Sequence, residues 1–170
     1  MVRHGVYWRR PRDREEVYRI PIQRWLCKGC RQTVSALPDC LVRFRWYVVA
    51  VIEEVVSKRE EEKMTWAQLQ GVWLHLRTMQ RWCKSFGGQA GRWLGAVQRE
   101  LARQDSASGW LDPQGESLRT GSAVQALLAA AVHLLAWGKS QWAELAEYGW
   151  NDRLRFLGLW GSRTGLGRLV

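Results

Sequence analysis

Cysteine is scarce in this chain, and so is any arrangement of it that would staple a fold. The 170 residues hold four cysteines. Two of them form the single C-x-x-C, Cys27-Lys28-Gly29-Cys30, which is not the spaced, even framework of a disulfide-stabilised secreted domain. The three histidines, His4, His75 and His133, lie far apart in sequence and form no local metal or catalytic signature. Long hydrophobic runs are lacking too. The longest, Ala126 to Trp137, is interrupted by His133 and falls short of the ~20 residues that cross a bilayer. The start has no apolar stretch of the kind a secretory signal needs. These absences point to a reducing, cytoplasmic setting with no membrane partner. Acidic residues are the minority charge: 16 Asp and Glu stand against 26 Lys and Arg, a formal net charge of +10.

What is present is unevenly placed. Residues 1–45 carry a net charge of +7 and residues 75–104 a net of +5, while the stretch between them is slightly acidic and residues 105–170 are neutral. Charge segregated in this way fits an anionic partner better than it fits solubility alone, and nucleic acid is the first candidate. With 46% hydrophobic residues the chain can bury a core of ordinary domain size. The twelve tryptophans read as packing residues.

The fold class expected is mostly α with a small N-terminal β module. Val6-Tyr7-Trp8 and Val17 to Trp25 suit strands around a turn at Pro11 to Arg14. Pro21 denies the second strand a ladder hydrogen bond, which places it at a sheet edge. A helix is expected from Arg43 to about Lys63, with Val48, Ile52 and Val55 on one face. Thr65 suits the N-cap of a short helix, Trp66 to Gln70, stopping at Gly71. A second helix, about His75 to Phe86, turns Leu76, Met79, Cys83 and Phe86 inward and Arg77, Gln80, Arg81 and Lys84 outward, and Gly87-Gly88 ends it. Further helices are expected over Gln89–Gln104, Ser122–Trp137, Gln141–Tyr148 and Asp152–Trp160, with a glycine-rich basic tail from Gly161. This gives a ribbon-like module over 1–40, a helical region over 41–104, a linker over 105–121 and a C-terminal helical region over 122–170.

Two short helices around a turn, the second with a basic outer face, suggest a helix-turn-helix. There the second helix enters the major groove, where Arg and Gln reach base edges and Lys and Arg neutralise phosphates. The C-x-x-C follows a strand and is not followed by a helix, so it fits a zinc knuckle better than a thioredoxin-like redox turn. Two thiolates delivered by one tight turn are half of a tetrahedral Zn²⁺ site.

The segments Arg3-His4-Gly5-Val6-Tyr7 and Ile20-Pro21-Ile22-Gln23-Arg24-Trp25-Leu26-Cys27-Lys28-Gly29-Cys30-Arg31-Gln32-Thr33 resemble the zinc ribbon of small transposase-like proteins of bacterial insertion sequences. In that family a helix-turn-helix follows the ribbon, and the resemblance covers about residues 3–86. It implies sequence-specific binding of double-stranded DNA, with zinc holding the ribbon together. Partners would be DNA and either a second copy or a transposase, at the nucleoid. The ligands carried over are Cys27 and Cys30. The family's first C-x-x-C would fall before Met1, so the ribbon reads as N-terminally incomplete, as a decayed copy, or as a rearranged site that recruits His4. Cys40 lies near enough in sequence to be considered as a ligand, but an apolar cysteine at a helix start is the ordinary reading. The DNA-contacting set expected is Arg24, Lys28, Arg31, Arg77, Gln80, Arg81 and Lys84.

Catalysis is not expected. Metal-dependent strand transfer needs three carboxylates on an alternating α/β core, and no such alternation follows residue 40. The function expected is therefore a non-catalytic, transposase-like or transposition-associated DNA-binding protein. The alternatives are a transcriptional regulator unrelated to transposition and a helical protein-interaction module.

Overall fold

The computed structural model describes residues 1–43, 45–70, 74–104, 121–166 and 169. It is mostly helical, with a small antiparallel sheet at the N-terminus. Strands β1 (Val2–Arg9), β4 (Ile20–Leu26) and β5 (Thr33–Ala36) form a three-stranded sheet in the order β1-β4-β5. The short strands β2 (Arg12–Asp13) and β3 (Glu16–Val17) form a ribbon that continues the β1–β4 hairpin outward to a turn at Arg14-Glu15.

β4 lies in the middle of the sheet, not at its edge, and the reason is its register. Pro21 faces Trp8 of β1, whereas β5 pairs only with Gln23 to Leu26. The proline therefore sits beyond the reach of the second neighbour, on a rung with one partner strand, where a missing N–H costs little. Ile22 points inward, fully buried, and ties the sheet to the helical core.

Helix α1 spans Val49–Glu60, so the expected start at Arg43 is wrong. The backbone before it is committed elsewhere. The Arg12 N–H donates to the Trp46 carbonyl (2.7 Å), and the Val48 and Val49 N–H groups donate to Arg12 (3.0 Å) and Cys40 (2.8 Å). These long-range bonds hold residues 45–48 extended against the ribbon. Burying Val49, Val51, Ile52, Val55 and Val56 then fixes the helix face.

Helix α2 (Trp66–Leu69) is a single turn. Its N-cap is Thr65, which accepts the Gln68 N–H while Gln68 accepts the Thr65 N–H in a reciprocal capping box. The expected stop at Gly71 lies outside the described residues, as does most of the following connection.

Helix α3 runs unbroken from Leu76 to Gln104. Gly87-Gly88 does not end it. Each glycine costs a helix interior about 1 kcal/mol against alanine, but the inward face continues through both. Met79, Trp82, Phe86, Ala90, Trp93, Val97 and Leu101 are all buried on one side, and a buried aromatic of this size contributes about 1.5–3 kcal/mol. Packing outweighs propensity.

Helix α4 (Ala123–Gln141) begins at Ser122, which forms a second capping box with Gln125. It starts where expected and runs past the expected end at Trp137 to Gln141, and at 19 residues it is long and apolar enough to cross a membrane. Half of that window is buried inside the protein, against α3 and the last helix, which accounts for its apolarity as core. A 3-10 turn (Ala143–Leu145) leads to α5 (Arg153–Thr164), so Gly161 to Thr164 form the last turn of a helix instead of a tail. Gly165 caps it at φ +73°, a left-handed position that suits glycine. The buried side chains of α1, α3, α4 and α5 form one cluster, continuous with Ile22 and Leu41. The expected linker, 105–121, lies outside the described residues except at Gly121.

One buried polar group joins the chain's two halves. Glu53 of α1 accepts the backbone N–H groups of Arg153 (3.1 Å) and Leu154 (2.8 Å), capping α5, and also the Arg153 Nε (2.9 Å). The Arg153 guanidinium completes its bonding to both carboxylate oxygens of Glu61, at 2.8 Å each. Burial pushes the Glu53 carboxyl up to about 7 against the pull of these donors. Glu61, more exposed, is also pushed up by burial, but Arg153 and Ser57 hold it below the ordinary range.

Candidate nucleic-acid interface

Three basic features of the molecule can be built from its sequence upward. The first is the hairpin tip between β4 and β5. The Cys27 N–H donates to the Gln32 carbonyl and the Arg31 N–H donates to the Cys27 carbonyl, both at 2.9 Å, and Arg31 takes φ +60° to close the turn. Within this turn the backbone N–H of Cys30, the Cys30 side chain and the Gly29 N–H all hydrogen-bond the Cys27 sulfur, and together they hold its thiol below the ordinary range. Backbone donors aimed at sulfur are what a thiolate ligand needs, so Cys27 and Cys30 fit one half of a tetrahedral zinc site.

The other candidate ligands do not join them. His4 is the extra residue of a bulge between Arg3 and Gly5, exposed and two residues down β1 from Val2, which faces Leu26. Among the described residues no group of three or more His, Cys, Asp or Glu is placed to hold a metal ion. Cys40 and Cys83 are of a different kind. Burial, helped by Asp39, raises the Cys40 thiol, and burial with Glu60 pushes Cys83 up to about 11. Lys28 and Arg31 are exposed at the tip. Arg24 is half-buried, its guanidinium donating to the Thr33 hydroxyl at 3.0 Å.

The second feature is the start of α3. Arg77, Gln80, Arg81 and Lys84 are all exposed on its outer face, as expected. Because the helix continues, the same side goes on to present Arg92, Arg99 and Arg103, also exposed. α2 packs on α1 beside it, with Arg59 of α1 stacked 4.8 Å from the Trp66 ring centre. Along the chain, α1 is thus followed by the one-turn α2 and then by the long α3.

The third feature was not anticipated from the sequence. A cleft of about 700 Å³ opens between the sheet and the segment preceding α1, lined by residues of β1, β5 and 37–46. Among the described residues its charged lining is Arg9, Arg10, Arg43 and Arg45, without a carboxylate, and its aromatic lining is Tyr7, Trp8 and Trp46. The Arg9 guanidinium donates to the Val42 carbonyl at 3.1 Å and to the Arg45 carbonyl, bracing the far wall against β1. Trp46 is 74% exposed and Trp8 52%. Arg19 lies 4.3 Å above the Trp8 ring. Trp8-Arg9-Arg10 and Arg43 to Trp46 interleave aromatic and basic residues, but nothing in the sequence places the two segments opposite one another.

Residues 1–82 match the model of a family described as a domain of unknown function (DUF6431). That segment encloses the sheet, the cysteine hairpin, the arginine-lined cleft, α1, α2 and the first turns of α3. No curated protein and no solved structure matches the chain. The similarity thus falls on the N-terminal part, where all the candidate features but the later turns of α3 reside.

Proposed function

We propose that this chain is a non-catalytic DNA-binding protein that grips duplex DNA through the outer face of α3 and the basic β4–β5 hairpin. The observation that carries the reading is the joint exposure of Arg77, Gln80, Arg81 and Lys84 on the first turns of α3, directly after a capped one-turn helix packed on α1. In that arrangement the long side chains of α3 reach base edges and phosphates while α1 and α2 hold the helix at its angle. Lys28 and Arg31 at the hairpin tip, with Arg24 behind them, add phosphate contacts. The likeness to insertion-sequence ribbon proteins adds element ends as the class of target.

Zinc belongs to this proposal as a structural ion. Cys27 and Cys30 would hold it, and its chemistry would be to fix the hairpin tip. A gel-shift series with duplex DNA over rising salt tests the function. Affinity should fall steeply as salt rises, because each neutralised phosphate releases counterions. Salt-insensitive binding, or none, would overturn it.

A further inference from the structure

We propose that the arginine-lined cleft beside Trp46 binds unpaired nucleotides, stacking a base on the Trp46 indole and holding its phosphates with Arg10 and Arg43. This inference shares the nucleic-acid class with the duplex reading but uses a different surface, so either can fail alone.

The exposure of Trp46 is the starting point. Its carbonyl accepts the Arg12 N–H at 2.7 Å, so its backbone is fixed while its indole stands 74% exposed. The molecule thus holds a large apolar ring in water on a rigid support, in a chain whose other tryptophans include fully packed ones such as Trp82 and Trp93. A flat ring presented in this manner is a stacking platform. Base–aromatic stacking is tolerant of sequence because every base has a π face.

The charge around the ring selects the ligand. Arg9, Arg10, Arg43 and Arg45 line the same cleft with no acidic residue among the described residues, and the bonds from Arg9 to the Val42 and Arg45 carbonyls brace its wall before any ligand arrives. At about 700 Å³ the cleft lies within the size range of small-ligand sites. It has room for a nucleotide or two, the scale of an unpaired segment. An acidic peptide would satisfy the guanidiniums but would leave the indole without a stacking partner. Single-stranded or locally opened DNA satisfies both.

The test uses the full chain and a labelled oligothymidine of about twelve nucleotides, alongside a mixed-sequence duplex and an abasic strand with the same number of phosphates. Trp46→Ala should weaken oligothymidine binding by about 5- to 100-fold, the loss of one base–aromatic stack, while duplex binding stays within about twofold. The abasic strand should bind weakly, and equally to wild type and variant. Because the Trp46 side chain stands in solvent, the variant should keep the wild-type circular dichroism spectrum and melting behaviour. Unchanged oligothymidine affinity in Trp46→Ala would overturn the proposal, as would an oligoglutamate of the same charge competing as well as the DNA strand. If duplex binding is absent but the Trp46-dependent binding of oligothymidine remains, the α3 reading fails and this one stands.

Discussion

At the scale of single residues, the Glu53–Arg153 pair decides how the two ends of the sequence are joined. Glu53 is 2% exposed and serves three donors of α5 at once, while Arg153 donates from Nη1 and Nη2 to the two carboxylate oxygens of Glu61. Removing one member of a buried ion pair strands the other, which costs roughly 3–5 kcal/mol. Measured at a pH above 7, where the Glu53 carboxyl is ionised, Glu53→Gln should therefore lower the urea unfolding free energy by a corresponding amount. A change below about 1 kcal/mol would mean that water screens the pair, as it does at a surface. Cys27 is the other residue on which much turns. Its sulfur receives N–H donors and a second thiol, but the described residues bring no third ligand. Titration of the 170-residue chain with zinc against a chromophoric chelator should give weak, substoichiometric binding that Cys27→Ser abolishes. One tightly held zinc per chain would instead favour a rearranged site that brings His4 to Cys27 and Cys30.

At the scale of elements, α3 is where local and tertiary preference disagree. Gly87-Gly88 read as a helix stop because paired glycines have low helix propensity, yet the apolar spacing on either side of them is in phase. Phe86 and Ala90 bracket the pair and are both fully buried. That phase was present in the sequence and outweighs the glycine signal. A Cβ on Gly88 would meet nothing within 4 Å, so Gly88→Ala should stabilise the protein by about 1 kcal/mol, seen as a higher melting temperature. If the helix ended there with glycine in a left-handed cap, the same change would destabilise. The capping boxes at Thr65 and Ser122, the valine face of α1 and the hairpin leading into Cys27 were legible because each is set by neighbours within a few residues. The register that frees Pro21, the pairing of Arg12 with residues 46–48 and the cleft around Trp46 were not, because each depends on separate strands or loops meeting in space, Trp8 with Pro21 and Arg12 with Trp46 among them. Of the candidate site, the exposed set on α3 was readable from helical period alone, while the placement of His4 away from the cysteines depended on a one-residue bulge.

At the scale of the whole molecule, the charge pattern and the fold agree. The net +7 of residues 1–45 becomes the hairpin tip and the arginine-lined cleft, and the net +5 of residues 75–104 becomes the outer side of one long helix. The neutral C-terminal part supplies α4 and α5, whose buried faces hold α1 and α3 in place. The net-neutral C-terminal segment thus contributes mainly core, while the two basic segments supply core on one side and exposed arginines and lysines on the other. The central claim is that α3 contacts DNA phosphates through its exposed first turns. The most direct measurement is the slope of log affinity against log salt for duplex DNA, compared between the wild type and an Arg81→Glu, Lys84→Glu double variant. The account predicts weaker binding and a slope shallower by about two, one for each lost phosphate contact. An unchanged slope and affinity, in a variant that melts like the wild type, would contradict it.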